Sequence, residues 1–202
     1  MISLPINVKE KYYRSIILTT AEIGIENVTV RKAAAKLNMS EAALYRHFQG
    51  KEELFNETYL FADSLFWHAF IHSFYSQGFA DKSFDNVLVS VWKDMLNFLK
   101  DDPALTSFLA RFRASYDFNV SVKKDGMLYS REFDPIYSII ETKIGPCKAS
   151  NKAVAFDAAM DACISFAFRS ISGEIAINDD LETKLCHIIS DTFSLLYHSK
   201  EI

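Results

Sequence analysis

Residues 30–48, VRKAAAKLNMSEAALYRHF, constrain the fold more tightly than any other part of the chain. Thr29 stands where a helix N-cap belongs, and the alanine-rich run after it favours a short helix. Asn38 tolerates the left-handed conformation that ends a helix, and Met39 can plug the corner behind it. Ser40 is a second N-cap, with Glu41 placed at the positive end of the helix that follows. A helix, a tight turn and another helix leave no room for a strand. On the second helix, 41–48, Leu44 and Phe48 are four apart and share the inward face. Ala42 and Arg46 lie nearly opposite that face, with Ala43 and Tyr45 flanking it.

The rest of the chain agrees with an all-helical reading. It has 202 residues, of which half are apolar, 14% aromatic and 24% charged, enough for a substantial core. Glycine (6) and proline (4) are too scarce for a strand-and-turn architecture. Helical periodicity and end signals predict about nine helices, at 8–25, 30–37, 41–48, 51–75, 84–99, 104–117, 135–144, 150–172 and 180–199. Gly24 closes the first, Ser83, Asp102 and Ser150 open later ones, and Pro103 suits a first turn. The polar stretch 118–132 reads as a loop. No repeats or low-complexity segments interrupt the pattern.

Cys147, Cys163 and Cys186 are odd in number and widely spaced, which supports neither a disulfide framework nor a thiolate zinc site. Free thiols in a reducing cytosol are expected. The N-terminus lacks a secretory h-region, and no apolar run reaches membrane-spanning length, so a cytoplasmic chain is expected. His68 and His72 have the i, i+4 spacing of metal ligands, but no further ligands converge with them. Neither a metal nor any other cofactor is expected. No nucleophile elbow or phosphate-cradling glycine loop is present, so the chain does not read as an enzyme and no catalytic residue is assigned.

The formal charge of −4 conceals an asymmetry. Residues 1–51 carry eight basic side chains (Lys9, Lys11, Arg14, Arg31, Lys32, Lys36, Arg46, Lys51) against four acids (Glu10, Glu22, Glu26, Glu41), for a net +4. The remainder, with 14 basic and 22 acidic residues, stands at −8. A basic head on an acidic body is expected where only one end meets phosphate. The exposed face of 41–48, with small, basic and aromatic groups, suits the DNA major groove, and the start of the helix at Lys51 offers backbone N–H groups and an ammonium to phosphate.

Residues 29–55, TVRKAAAKLNMSEAALYRHFQGKEELF, resemble without a gap the N-terminal signature of the TetR family of transcriptional regulators. Thr29, Val30, Ala34, Ser40, Leu44, Tyr45, His47, Phe48, Lys51, Glu52 and Leu54 agree with the usual pattern. Asn38 replaces the usual turn glycine, and Glu41, Ala42 and Ala43 stand where many relatives have Lys, Gly and Thr. The resemblance implies a homodimer on double-stranded DNA. Thr29, Tyr45, His47 and Lys51 would position the backbone, Arg31, Glu41, Ala42, Ala43 and Arg46 would face base edges, and Ser40 belongs to the same DNA-binding set. It implies a helix-turn-helix domain at 1–50 and a regulatory and dimerisation domain at 51–202, whose last two helices pair with a second copy.

The body offers an aromatic set, Trp67, Phe70, Trp92, Leu96, Phe108, Phe112, Tyr116, Tyr137 and Phe166. These residues either line a cavity for a small hydrophobic or aromatic effector or form plain core. Arg111 and Arg113 either meet an anionic ligand or pair with acids on a solvated face. Two functions follow: a ligand-released repressor at a palindromic operator, or a DNA-binding adaptor or architectural factor without a small ligand.

Overall fold

The computed structural model describes residues 7–78, 83–115, 120–147 and 149–198. Among these the chain is helical, without strands: α1 (Val8–Ile23), α2 (Val30–Lys36), α3 (Glu41–Leu44), α4 (Lys51–Ser76), α5 (Phe84–Asp101), α6 (Pro103–Arg113), α7 (Val120–Lys123), α8 (Asp134–Ile144), α9 (Ala149–Ile171) and α10 (Asp179–Tyr197). The all-α expectation and each of its nine helices are present.

The ends follow local chemistry. Asn7 caps α1 by accepting from the Lys9 amide. Gly24, at φ 78°, closes α1 by donating to the Thr20 carbonyl, a backbone conformation that a side chain disfavours. Ser83, Asp102 and Asn178 accept from the Asn86, Leu105 and Leu181 amides. α9 already begins at Ala149, which places Ser150 inside its first turn instead of at the cap. α6 ends at Arg113, short of the expected 117, and residues 116–119 lie outside the described ones, as does Ser199 at the expected end of α10.

α4 is the axis of the molecule. Its 26 residues span about 39 Å at 1.5 Å per residue. The helix is buried on several sides, through Leu54, Phe55, Tyr59, Ala62, Phe66, Trp67, Phe70 and Phe74. It packs against α1 at one end and α5 and α6 beyond, so one apolar core runs without a break from Tyr12 to Tyr197. α9 and α10 lie side by side, with α5 against both.

Of the expected loop at 118–132, residues 118 and 119 lie outside the described ones, and residues 120–132 hold α7 and a 3₁₀ turn at Met127–Tyr129 where the polarity suggested a plain loop. Burial of Met127 and Leu128 anchors it from one side. From the other, the buried Asp63 carboxylate of α4 accepts the Met127 amide at 3.0 Å and the Trp67 indole N–H at 3.1 Å.

Burial pushes the Asp63 carboxyl up to about 6, against the two hydrogen bonds and the nearby Arg113 charge, which favour ionisation. The folded chain therefore holds this proton more tightly than the unfolded chain does. The resulting stabilisation is full below about pH 4 and is lost as pH rises through about 6. Asp63→Asn should flatten the pH dependence of unfolding free energy in that window by about 2–3 kcal/mol. Urea titrations at several pH values measure it, and a slope equal to the parent's overturns the assignment.

Candidate nucleic-acid interface

The corner between α2 and α3 is closed by hydrogen bonds that its sequence makes available. Thr29 Oγ1 accepts the Lys32 amide at 3.2 Å and starts α2. At the far end Asn38 adopts φ 55°; its amide donates to the Ala35 carbonyl and that of Met39 to the Ala34 carbonyl, both at 3.0 Å. This is a Schellman pair, which satisfies the last carbonyls of α2 while turning the chain. Met39 packs on the core, and Ser40 Oγ accepts the Ala43 amide at 3.2 Å to start α3.

Only one turn of α3 is regular. Beyond Leu44 the chain tightens, with the Tyr45 amide bonded to the Glu41 carbonyl and both His47 and Phe48 amides to that of Leu44. The expected recognition helix 41–48 is thus α3 plus a right-handed turn, a short end of the kind 3₁₀-type bonding produces. Leu44 and Phe48 are buried as the wheel requires. Phe48 meets Tyr12 edge-on at 5.8 Å and Tyr13 at 6.0 Å, with the Lys9 ammonium 4.9 Å above its ring. Lys9 and Tyr13 also bond Glu57 of α4, joining α1, the corner and α4 at one point.

Held this way, the outer face is open. Thr29, Arg31, Ser40, Glu41, Ala42, Arg46, His47 and Lys51 are exposed, and Tyr45 is 47% exposed. Ala43 is the exception. It is buried at 6%, so its methyl group packs inward and it is corrected from a base-facing residue to a corner-packing one. The α3 turn is short enough that Ala43 and Leu44 share the inner side. The His47 ring stands 5.9 Å from the Tyr12 ring.

The positive charge of this head is partly spent within it. Lys9, Arg14 and Lys36 pair with Glu57, Glu10 and Glu22. Arg31 and Arg46, on α2 and just past α3, form no carboxylate pair among the described residues. The Arg31 and Arg46 guanidinium groups, without a carboxylate pair among the described residues, therefore stand beside the corner, and the basic count alone did not show which charges were paired.

In the body, Trp67, Phe70, Trp92, Leu96, Phe108 and Phe112 are fully buried, while Tyr137 and Phe166 are half-buried and Tyr116 lies outside the described residues. Their rings pack on one another. Trp67 meets Phe70 at 5.5 Å and Phe133 at 5.3 Å, Phe70 meets Trp92 at 5.2 Å, and Phe108 stacks on Phe112 at 5.4 Å. Phe133 and Phe156, absent from the expected set, complete this cluster.

Arg113 does not sit on a solvated face, since its side chain is 6% exposed. Its guanidinium donates to Asp161 at 2.6 Å, Asp157 at 2.7 Å and the Tyr59 hydroxyl at 2.7 Å, and Lys123 closes on Asp157 at 2.6 Å. Burial alone would raise the Asp157 carboxyl, but Arg113 and Lys123 outweigh it and hold the group below the ordinary carboxylate range. This network ties α4, α6, α7 and α9 together.

His68 is exposed and stands 3.5 Å from Glu132. Cys163 and Cys186 are buried free thiols, and Cys147 donates to the Tyr197 carbonyl. Among the described residues no helix is long and apolar enough to cross a membrane, and no three metal-ligating side chains gather.

An α2–turn–α3 corner with buried anchors and an exposed aromatic-basic face, carried on a helical body, defines a helix-turn-helix protein. Residues 20–58 match the family described as bacterial regulatory proteins, tetR family. The fold is that of a TetR family transcription regulator from Marinobacter aquaeolei VT8, with 18% identity, coverage of 91% of this chain and 94% of that one, and a TM-score of 0.68. A TetR-like transcriptional regulator from Rhodococcus sp. RHA1 is 20% identical over 93% of this chain and 96% of its own, with a TM-score of 0.58. The fatty acid degradation regulator FadR from Bacillus halodurans is 12% identical over 98% and 99%, with a TM-score of 0.60. No curated protein matches the chain in sequence. The chain thus matches the tetR family over residues 20–58 and shares the overall fold of solved TetR-family transcription regulators.

Proposed function

We propose that this chain is a cytoplasmic one-component transcription regulator, a homodimer that represses by holding a palindromic operator and is released by a small molecule. Residues 1–50 contact DNA and 51–202 carry regulation and dimerisation. The supporting observation is the corner itself. Leu44 and Phe48 are pinned inside while Tyr45, Arg46 and His47 stand outside, next to Arg31 and the start of α4 at Lys51. In this reading Thr29, Ser40, Tyr45, His47 and Lys51 grip phosphate, and Arg31, Glu41, Ala42 and Arg46 reach base edges.

Two copies read two half-sites about 34 Å, or a multiple of that, apart. The second copy fits against α9 and α10. Ile188 and Leu195, seven residues apart on α10, are 50% and 74% exposed, a pair of large apolar side chains with no cover. Release is a population shift: the effector favours dimers whose corners are spaced wrongly for the groove.

Selection of bound fragments from random DNA, at low and then physiological salt, tests the reading. A palindromic sequence should be enriched in both conditions, and no enrichment in either overturns the proposal. Once an operator is known, Arg46→Ala should weaken binding and relax specificity at the base it reaches, while Lys51→Ala should weaken binding uniformly across sequences and lower the salt slope of log K by about one.

The ring-on-ring packing around Trp67 and Phe70 favours a second reading, a DNA-binding adaptor or architectural factor with no effector. In that case DNA affinity would respond to a protein partner, and no small molecule would change it.

A further inference from the structure

Two clefts of about 610 and 490 Å³ run along one side of the body and share Arg111 and Phe168. The first lies between Ala110 and Ala114 of α6 and its end, and Ile164 and Ser165 of α9. The second continues past Pro103 and Ser107 at the start of α6 to Ile171 of α9, and reaches Ala21 near the end of α1. From Asp161 to Ile171 the α9 wall alone extends about 15 Å by helical rise.

The polar groups of the groove are unequally satisfied. Arg113 and Asp161 neutralise one another, and Asp102 accepts the Leu105 amide as the α6 cap. Arg111 is different. Its Nε is buried and meets no hydrogen-bond acceptor among the described residues, and its guanidinium carbon lies 5.6 Å from the centre of the Phe168 ring. A buried donor without an acceptor is costly to leave unmade. A guanidinium stacked on an aromatic face has its planar fork pre-set for a carboxylate. On either side of it the walls are apolar, from Ala110, Ile164 and Phe168 in one direction and Pro103 and Ile171 in the other.

We infer that this groove is the effector site, and that it takes a small amphipathic carboxylate. Its acid group pairs with Arg111, and its aliphatic or aromatic body lies along α9. The inference rests on the ligand-release reading above for its consequence, but not for the binding itself. The location gives a route to DNA. α1 packs on α6, so an occupant wedged between Ala21, α6 and α9 touches the DNA-binding head and the body at once. Any preference it has for one spacing of the two is read directly at the corner.

The test uses the full-length protein without DNA. Decanoate, 4-phenylbutyrate and indole-3-acetate are titrated by calorimetry, each beside its uncharged amide. At least one acid should bind saturably and at least tenfold more tightly than its amide. Arg111→Gln and the groove-filling Ser165→Phe should each weaken that acid tenfold or more. Ser165 is exposed, which keeps the second variant independent of any folding defect in the first.

No binding of any acid at millimolar concentration overturns the inference. So does equal binding of acid and amide, or affinity unmoved by both variants. A shift from dimer to monomer in sedimentation on Arg111→Gln also overturns it, because the groove would then be a subunit interface. Release from operator is measured separately with the same acid. Binding without release upholds the groove and refutes ligand release, so the two claims fail apart.

Discussion

Arg113→Met should lower the unfolding free energy by about 3–5 kcal/mol, because it leaves two carboxylates facing a vacated, mostly buried cation position. For a chain of this size that is a fall in Tm of roughly 10 °C. The wild-type side chain satisfies Asp157, Asp161 and the Tyr59 hydroxyl together, with only 6% of it exposed. Arg113→Lys should fall between, since one ammonium cannot hold three partners in the plane of a guanidinium. The pH dependence has a definite sign. The Asp157 carboxyl is held below its ordinary value in the folded chain, so its contribution is present above the unfolded pKa and lost as pH falls. The gap between Arg113→Met and the parent should therefore narrow on acidification through about pH 4. Denaturant unfolding at neutral and acid pH measures both effects. A loss below about 1 kcal/mol at neutral pH would class the network with ordinary surface pairs.

Phe48→Ala should cost about 3–5 kcal/mol, the range for removing a fully enclosed aromatic ring. Its ring is 2% exposed and is the meeting point of Tyr12, Tyr13 and the Lys9 ammonium. The damage should be concentrated at the corner, because Phe48 and Leu44 are what hold the exposed Tyr45–His47 turn in place. Hydrogen exchange should speed up in residues 30–48 more than in α9 and α10, and operator binding should be abolished. Arg46→Ala is the contrasting case. As an exposed residue with no carboxylate pair among the described residues, it should leave stability within about 0.5 kcal/mol while weakening DNA binding. Stable corner exchange in Phe48→Ala would mean that α1 and α4 hold the turn without it.

The corner is the most legible part of the chain. Thr29, Asn38 and Ser40 act on amides within a few residues of themselves, and the three caps appear where their side-chain chemistry places them. Leu44 and Phe48 are equally readable, since four residues is one helical turn. Ala43 is not. A wheel gives a direction but not the depth of the neighbouring helix, and α2 packs on α3 closely enough to leave the Ala43 methyl group buried. The 118–132 segment reads as plain loop for a related reason: its anchor is Asp63, 64 residues away from Met127.

The arginines make the same point in the body. Arg111 and Arg113 are two residues apart and look alike in sequence, yet one is saturated by α9 and α4 and the other faces a groove with its Nε unmet. What the sequence by itself determined was the helical class, most of the caps, the inward anchors Leu44 and Phe48, and the corner segment 29–55 that resembles the family signature. All of these depend on backbone preferences and spacings within a turn or two. Tertiary structure alone decided which charges were neutralised, which aromatics enclosed one another and where an open groove remained. Those outcomes depend on pairs such as Arg113 and Asp157, 44 residues apart, that only the packing of whole helices brings within hydrogen-bonding distance.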